Sequence, residues 1–226
     1  MALIIYGSSL SPFVRKVRVV LAEKGLDYTI EQINPFDPPA WFVEISPLKR
    51  IPVLRDTDQP EPNTLADSSV ICDYLESKWP TPALYPADPF ARAQALWFEE
   101  YADTQLVQSL LPIFFQRVVR RLSKAECDES VVAATLAEKT PSAFDYLEAA
   151  VSGRSFFVDD IYSIADIAVG AMLVNFEHAG EHIDTARWPE LARFSREIHA
   201  KPSFADCIAK ERSFLKRYLP SYDGSD

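Results

Sequence analysis

Cysteine is scarce in this sequence. The chain has only three, Cys72, Cys127 and Cys207, and no two of them form a CxxC pair. Disulfide-stapled folds and zinc sites depend on paired or clustered cysteines. The sequence therefore argues against a disulfide framework and a zinc site, and we interpret the three thiols as buried or incidental.

Long apolar runs are also absent. No run approaches the roughly 20 residues that a helix needs to span a bilayer. The first residues, MALIIYGSSLSPFVRK, place basic side chains after the apolar stretch, which is the reverse of a secretory signal. We therefore expect a cytoplasmic protein that does not enter the membrane.

Positive charge is in deficit throughout the chain. Lys and Arg number 23 against 33 Asp and Glu, so the formal net charge is −10, and both halves share the imbalance. An acidic surface repels nucleic acid phosphates and anionic lipids. We expect neither nucleic acid nor a membrane surface as a partner.

The first eighty residues alternate short strands with helices. Strands are predicted where apolar residues alternate with polar ones or form a short run, and helices where apolar residues recur about every 3.6 positions. Gly25 marks the end of the first predicted helix. Val70, Ile71, Tyr74 and Leu75 are expected on the inward face of the last helix. The predicted strands are 3–6, 28–33, 52–55 and 64–66, and the predicted helices are 12–24, 41–45 and 68–79. A β-helix-β unit implies a parallel strand pair, and the whole order is that of a thioredoxin-like domain.

The remaining chain has no strand signals. Four prolines between residues 80 and 89 indicate a linker. Helices are predicted at 90–121, with Pro112 as a candidate position for a bend, and at 130–151, 163–177, 190–200 and 204–217. We therefore expect an α/β domain over residues 1–82, a linker at 83–89, and an all-helical domain over 90–226.

Three groups of motifs carry a family resemblance. The opening YGSSLSPFVRKVRVVLAEKGLDY, the pair SPLKRIPVL and LADSSVICDYL, and the later SIADIAVG occur in this order. They resemble the serine-type cytosolic glutathione transferases, particularly the tau, phi and zeta classes. The resemblance runs from Leu3 to about Phe204 and implies a thioredoxin-like glutathione-binding domain followed by a helical domain.

Ser11 precedes a helix that begins with Pro12, where proline is favoured. As an N-cap, its hydroxyl would accept a hydrogen bond from the backbone of Val14. The resemblance implies a further role, in which Ser11 stabilises the thiolate of glutathione as the catalytic residue. Ser8 and Ser9 remain alternatives for that hydroxyl.

Arg50, Ile51 and Pro52 form the second candidate group. Pro52 could simply begin a strand. The resemblance implies a cis peptide bond before Pro52, main-chain pairing of Ile51 with the cysteinyl part of glutathione, and a contact from Arg50 to the glycine carboxylate. Lys49 is an alternative to Arg50, and both basic side chains could instead be solvated.

Asp67 and Ser68 form the third group. Either could cap the helix that follows. A helix N-terminus with a hydroxyl also suits an anion, and the resemblance implies that Ser68 binds the γ-glutamyl carboxylate while Asp67 holds the γ-glutamyl ammonium group.

Other features point to structure. Ser163 and Asp166 fit a capping box, although Asp159-Asp160 replaces the Gly-Asp usual in the family. His178 and His182 have the spacing of metal ligands, but no third ligand is apparent, and no metal is expected. One aromatic set is expected mainly in core or interface positions, although the resemblance leaves open that one or two of its members line the electrophile site: Trp97, Phe98, Tyr101, Phe114 and Phe115.

The resemblance implies an enzyme that activates the thiol of reduced glutathione for attack on a small electrophile held between the domains. Glutathione would be the cosubstrate, and detoxification and a homodimer are expected by analogy. Open alternatives are a non-catalytic glutathione-fold binding or regulatory protein, and a peroxidase, isomerase or lyase on the same scaffold. An oxidoreductase of the omega or glutaredoxin type needs a cysteine where this chain has Ser8, Ser9 and Ser11.

Overall fold

A computed structural model describes residues 2–219 and Tyr222. The chain divides into two compact units, the first ending at Tyr85 and the second beginning at Pro86.

The first unit is built on a four-stranded mixed sheet in the order β2-β1-β3-β4. β1 pairs in parallel with β2 and antiparallel with β3, and β3 pairs antiparallel with β4. The strand bounds are β1 Leu3–Gly7, β2 Tyr28–Gln32, β3 Val53–Asp56 and β4 Thr64–Ala66. The predicted thioredoxin-like order and the parallel pair are confirmed, with strand ends differing by one residue.

Three helices accompany the sheet: α1 Pro12–Glu23, α2 Ala40–Ile45 and α3 Ser68–Lys78. The apolar positions of α1 are buried as its periodicity predicts: Val14, Val17, Val20 and Leu21. The same helix also buries three cationic residues, which its periodicity did not indicate: Arg15, Lys16 and Arg18.

The inward face of α3 differs from the prediction at one position. Ile71 and Leu75 are buried and Tyr74 is half-buried, whereas Val70 is 51% exposed, so its assignment to the inward face is wrong. Cys72 is buried beside Ile71 instead. The buried face of α3 therefore includes Cys72 in place of Val70. Contacts with neighbouring elements, and not the apolar residues of the helix alone, decide which face is covered.

The regular structure in the described part of the second unit is helical, with loops between the helices and no strands. Its α-helices are α4 Pro89–Tyr101, α5 Val107–Phe114, α6 Arg120–Leu122, α7 Glu129–Glu138, α8 Thr140–Val151, α9 Ile164–His178, α10 Pro189–His199 and α11 Pro202–Tyr218. Fourteen of the fifteen residues of α9 are buried, which makes it the centre of this unit.

Two predicted helices are subdivided. The long helix predicted at 90–121 changes to π-helical hydrogen bonding at Ala102–Leu106 and Phe115–Val119, while Pro112 lies within the α-helical segment between them. The helix predicted at 130–151 is two helices that meet at Lys139. Proline lacks an amide hydrogen and is favoured in a first helical turn. Pro141 accordingly lies in the first turn of α8, which begins at Thr140, and does not continue α7.

The predicted capping box of α9 is confirmed. The carboxylate of Asp166 accepts a hydrogen bond from the Ser163 amide at 2.8 Å and another from the Phe157 amide at 3.0 Å. In the preceding turn Asp159 and Asp160 both have positive φ angles, 48° and 55°, a conformation that aspartate tolerates better than most residues. Burial raises the pKa of Asp166 to about 7, against the opposing effect of these amide donors.

Among residues 2–219 and Tyr222, no helix is both long enough and apolar enough to cross a bilayer.

Candidate functional site

Three segments of the first unit leave its sheet at the same edge. Tyr6 lies opposite Val53, and Val53 lies opposite Ala66 on its other side. The turn after β1, the loop before β3 and the turn after β4 therefore begin side by side. This sheet order brings together the segments that carry the three predicted groups of site residues, although they are separated by up to about sixty positions in the sequence.

Gly7 permits a close approach at this edge. A Cβ atom on Gly7 would lie 2.6 Å from Cγ2 of Val14 and 3.4 Å from Cβ of Ile51. The first value is shorter than real Cβ contacts allow. The absence of a side chain at Gly7 thus lets the first turn of α1 and the Ile51 segment pack against the end of β1.

Ser11 occupies the N-cap of α1 and is half-buried. Its hydroxyl oxygen faces the Val14 amide at 3.5 Å, which confirms the capping interpretation, although the bond is long. In this arrangement the hydroxyl accepts, and its own hydrogen has no acceptor among the described residues. Ser8 and Ser9 are also half-buried in the turn before Ser11, so all three hydroxyls lie in the same short segment.

The peptide bond between Ile51 and Pro52 is cis, as the family resemblance implies. The side chain of Ile51 packs against the core cluster that contains Tyr6 and Val53. Within the described part of the chain, neither the N–H nor the C=O of Ile51 has a hydrogen-bond partner. Ile51 therefore presents a free donor and a free acceptor directly before a central strand.

The residue before Ile51 is held by a side chain that sequence reasoning missed. Ser46 is 1% exposed, and its hydroxyl donates to the Arg50 carbonyl at 2.8 Å and accepts from the Arg50 amide at 3.1 Å. This fixes the Arg50 backbone while its side chain stays exposed. Lys49 is exposed too, with a φ of 54°. No feature of the sequence distinguishes Ser46 from other loop serines.

Asp67 is the N-cap of α3, and Ser68 is the first helical residue. Oδ1 of Asp67 accepts from the Ser69 amide at 2.9 Å and from the Val70 amide at 3.4 Å. Asp67 has φ 82°, a region where a non-glycine backbone is strained. Its second carboxylate oxygen has no partner among the described residues.

Ser68 and a buried lysine complete this end of α3. Ser68 is only 4% exposed, yet neither its hydroxyl nor its amide has a hydrogen-bond partner in the described part of the chain. Next to it, the hydroxyl of Ser69 accepts a hydrogen bond from the ammonium of Lys16 at 3.0 Å. Lys16 was not identified from the sequence, because its pairing with Ser69 spans 53 positions.

A second polar cluster of this unit lies at the opposite edge of the sheet. Asp56, at the other end of β3, pairs with Lys78 and accepts from the Tyr74 hydroxyl at 2.5 Å. Burial raises the pKa of Asp56, but the bonds from Lys78 and Tyr74 outweigh it and hold this pKa below its ordinary value. This cluster joins the end of β3 to the C-terminal part of α3 and is separate from the candidate site.

Metal ligation finds no support in the side-chain arrangement. Among the described residues, no group of three His, Cys, Asp or Glu side chains could hold a metal ion. The ring of His178 instead contacts the Glu211 carboxylate and the Tyr222 hydroxyl, each at 3.0 Å.

Comparison with known families gives two matches. Residues 10–78 match the model for the glutathione S-transferase N-terminal domain, and residues 119–197 match the model for the glutathione S-transferase C-terminal domain. The first match contains all of the predicted site residues.

Similar proteins cover nearly the full chain. A probable glutathione S-transferase from Glycine max is 27% identical, over 94% of this chain and 91% of its own length. A stringent starvation protein A homolog from Coxiella burnetii is 23% identical, over 94% of both chains.

Among solved structures, a glutathione S-transferase from Methylobacillus flagellatus KT with glutathione bound is 31% identical. The match has a TM-score of 0.74 and covers 91% of this chain and 98% of that one. Two domain models in the family's order, together with this level of identity over nearly the whole length, establish that the chain belongs to the glutathione S-transferase family.

Proposed function

We propose that this protein is a glutathione transferase that binds reduced glutathione at the shared sheet edge and activates its thiol for attack on a small electrophile. The observation that carries the proposal is the set of unsatisfied groups at this edge. The Ile51 peptide, the Ser68 hydroxyl and amide, and one Asp67 oxygen have no partner among the described residues. Asp67 is exposed, whereas Ile51 is half-buried and Ser68 is buried. Buried polar groups nearly always have a hydrogen-bond partner in the protein, in water or in a ligand, so the Ile51 and Ser68 groups are the ones that a ligand would complete.

Each part of the tripeptide has a matching group. The Ile51 N–H and C=O would pair with the cysteinyl main chain, as an added strand pairs with a sheet edge. Ser68 at the start of α3 would bind the γ-glutamyl carboxylate, because a helix N-terminus favours an anion. The free oxygen of Asp67 would accept from the γ-glutamyl ammonium, and Arg50 would pair with the glycine carboxylate.

Ser11 would then act on the cysteinyl sulfur. A free thiol with a pKa of about 8.5 is only ~3% ionised at pH 7. The uncommitted hydroxyl hydrogen of Ser11 can donate to the thiolate, and the positive end of the α1 dipole adds to this stabilisation. The thiol proton leaves to solvent, and the sulfur lone pair forms a bond to the electrophilic atom. The bond from that atom to its leaving group breaks, and the leaving group departs with the bonding electron pair. No covalent bond to the enzyme is needed.

We further propose that the protein works in the cytoplasm as a homodimer and contributes to detoxification, as its family suggests. The reaction on the electrophile could equally be a glutathione-dependent peroxidase, isomerase or lyase step, because the thiolate is common to all of them.

A second candidate is a non-catalytic binding or regulatory protein. It is favoured by the relative from Coxiella burnetii that is called a stringent starvation protein A homolog and matches along 94% of both chains. Such a protein could keep the fold and even bind glutathione without lowering the thiol pKa. The two candidates therefore differ in the ionisation of the bound thiol.

The deciding experiment titrates the thiolate absorbance of the glutathione complex against pH. In the wild type we expect the bound thiol pKa to lie about 2 units below the free value, which is roughly 2.7 kcal/mol of differential stabilisation. Ser11→Ala should raise this pKa and slow the conjugation of an aromatic electrophile, while glutathione affinity changes little. Ser8→Ala and Ser9→Ala are the matched controls from the same turn.

The outcomes separate the alternatives. An effect of Ser9→Ala or Ser8→Ala instead of Ser11→Ala would move the catalytic hydroxyl and leave the proposed activity intact. Glutathione binding with an undisturbed thiol pKa would favour the non-catalytic protein. Absence of glutathione binding to the wild type would reject the proposal.

A further inference from the structure

A buried cation lies beside the N-terminus of α3. Lys16 is 1% exposed, belongs to α1, and donates from its ammonium to Oγ of Ser69 at 3.0 Å. Resting on the function proposed above, we propose that Lys16 is a positioning residue that tunes this helix end for the γ-glutamyl carboxylate of glutathione.

The hydrogen bond from Lys16 decides how Ser69 is oriented. An ammonium has three donors and no acceptor, so the Ser69 oxygen must be the acceptor in this contact. The amide of Ser69 is bound at the same time to Oδ1 of Asp67 at 2.9 Å. Lys16 and Asp67 thus hold the second residue of α3 from two sides, which fixes the position of Ser68 between Asp67 and Ser69.

Ser68 provides the independent sign that a ligand belongs here. Ser68 as a residue is 4% exposed, and its hydroxyl and amide have no partner among the described residues. Both are donors available to an oxygen anion. A bound carboxylate at Ser68 would lie one residue away from the hydroxyl that accepts from Lys16.

Charge gives Lys16 an effect that packing alone would not have. A buried ammonium is poorly screened by solvent, and a few ångströms from a carboxylate its attraction is a sizeable part of a binding free energy. It adds to the partial positive charge of the helix N-terminus. Neutralising Lys16 should therefore weaken the binding of a ligand that has the carboxylate, and not that of a ligand without it.

The test compares two ligands by calorimetric titration. Glutathione has the γ-glutamyl carboxylate, whereas γ-aminobutyryl-cysteinylglycine lacks that group alone. We expect Lys16→Met, which keeps the length and loses the charge, to reduce the preference for glutathione over the analogue about tenfold. Affinity for the analogue itself should change little.

Lys24→Met is the matched control. Lys24 is a second buried lysine between α1 and α3, but it pairs with Glu76 toward the other end of α3. Its loss should lower the thermal midpoint and leave the ligand preference unchanged. Ser69→Ala removes the hydroxyl that accepts from the Lys16 ammonium at this helix end. It should reduce the preference in the same direction, and it decides the question if Lys16→Met does not fold.

Ligand binding by the wild type distinguishes a wrong role for Lys16 from a wrong proposed function. If the wild type binds neither ligand, the proposed function falls and the role of Lys16 with it. If the wild type prefers glutathione and Lys16→Met, or Ser69→Ala in its place, retains the full preference, the role of Lys16 is overturned while the proposed function stands. An equal loss of preference in Lys24→Met would also overturn it, since the effect would then follow destabilisation.

Discussion

Replacing Asp166 by alanine should destabilise the helical unit by an amount that depends on pH. Asp166 is 0% exposed and accepts from the amides of Ser163 and Phe157. Both donor residues are themselves almost fully buried, at 1% and 2% exposure. Alanine therefore leaves two buried amides without an acceptor or access to water.

The size of the effect follows from these two amides. A buried donor left without its partner costs roughly 1–3 kcal/mol. The wild type also bears the cost of burying a carboxylate, which alanine removes, so part of the loss is offset. At about pH 8, where Asp166 is ionised, we expect Asp166→Ala to lower the free energy of unfolding by about 2 kcal/mol.

The pH dependence has a definite sign. Burial raises the pKa of Asp166 to about 7 in the folded protein, above its ordinary value of 3.8. A raised pKa means that the folded state binds the proton more tightly than the unfolded state. The stabilisation is therefore complete below the unfolded value and is lost as the pH rises through about 7. Between about pH 5 and pH 8 the advantage of wild type over Asp166→Ala should shrink by about 3 kcal/mol.

Denaturant unfolding at a series of pH values and one protein concentration measures this advantage. Asp128→Ala is the control, since Asp128 caps α7 through the Ser130 amide at 3.0 Å but is exposed. The Ser130 bonds lower the pKa of Asp128, so its contribution should be lost as the pH falls, the opposite trend. An advantage for Asp166 that stays constant or grows from pH 5 to pH 8 would refute the reasoning.

Three further substitutions test the first unit. Asp67→Ala should weaken glutathione binding by about 1–3 kcal/mol, because a charged hydrogen-bond partner is lost; unchanged affinity in calorimetric titration would remove this residue from the site. Lys24→Met breaks a pair with Glu76 whose side chains are 0% and 10% exposed, and it should lower the free energy of unfolding by about 3 kcal/mol; a neutral result in denaturant unfolding would contradict this. Gly7→Ala places a Cβ 2.6 Å from Cγ2 of Val14, so it should lower the free energy of unfolding by about 1–3 kcal/mol and weaken glutathione binding. Wild-type stability and affinity in this variant would show that the surrounding segments adjust to the added methyl group.

Local features of the fold could be predicted from the sequence because they depend on neighbouring residues. Pro12 and the valines after it specify the start and the buried side of α1. The capping box at Ser163 involves a residue only three positions away, and it is present in the structure. Helix caps and apolar periodicity are encoded within a few residues, so a single sequence is enough to find them.

Packing between distant segments could not be predicted in the same way. The sequence pattern predicts a buried Val70 and a single helix over 130–151. In the structure Val70 is exposed, and two helices meet at Lys139. Whether an apolar residue on a short helix is covered depends on the neighbouring elements. Pro141 does not by itself reveal the division, because proline is compatible with the first turn of a helix as well as with a break.

The amino-acid sequence by itself determined the order of the elements, the helix caps and the motifs that mark the glutathione S-transferase family. Only the tertiary structure placed Tyr6, Val53 and Ala66 in one row and so brought the candidate site to one edge of the sheet. It alone also placed the ammonium of Lys16 against Ser69, 53 residues later in the chain. The physical reason is that strand register and side-chain burial arise from pairing between distant segments, which no local pattern of residues specifies.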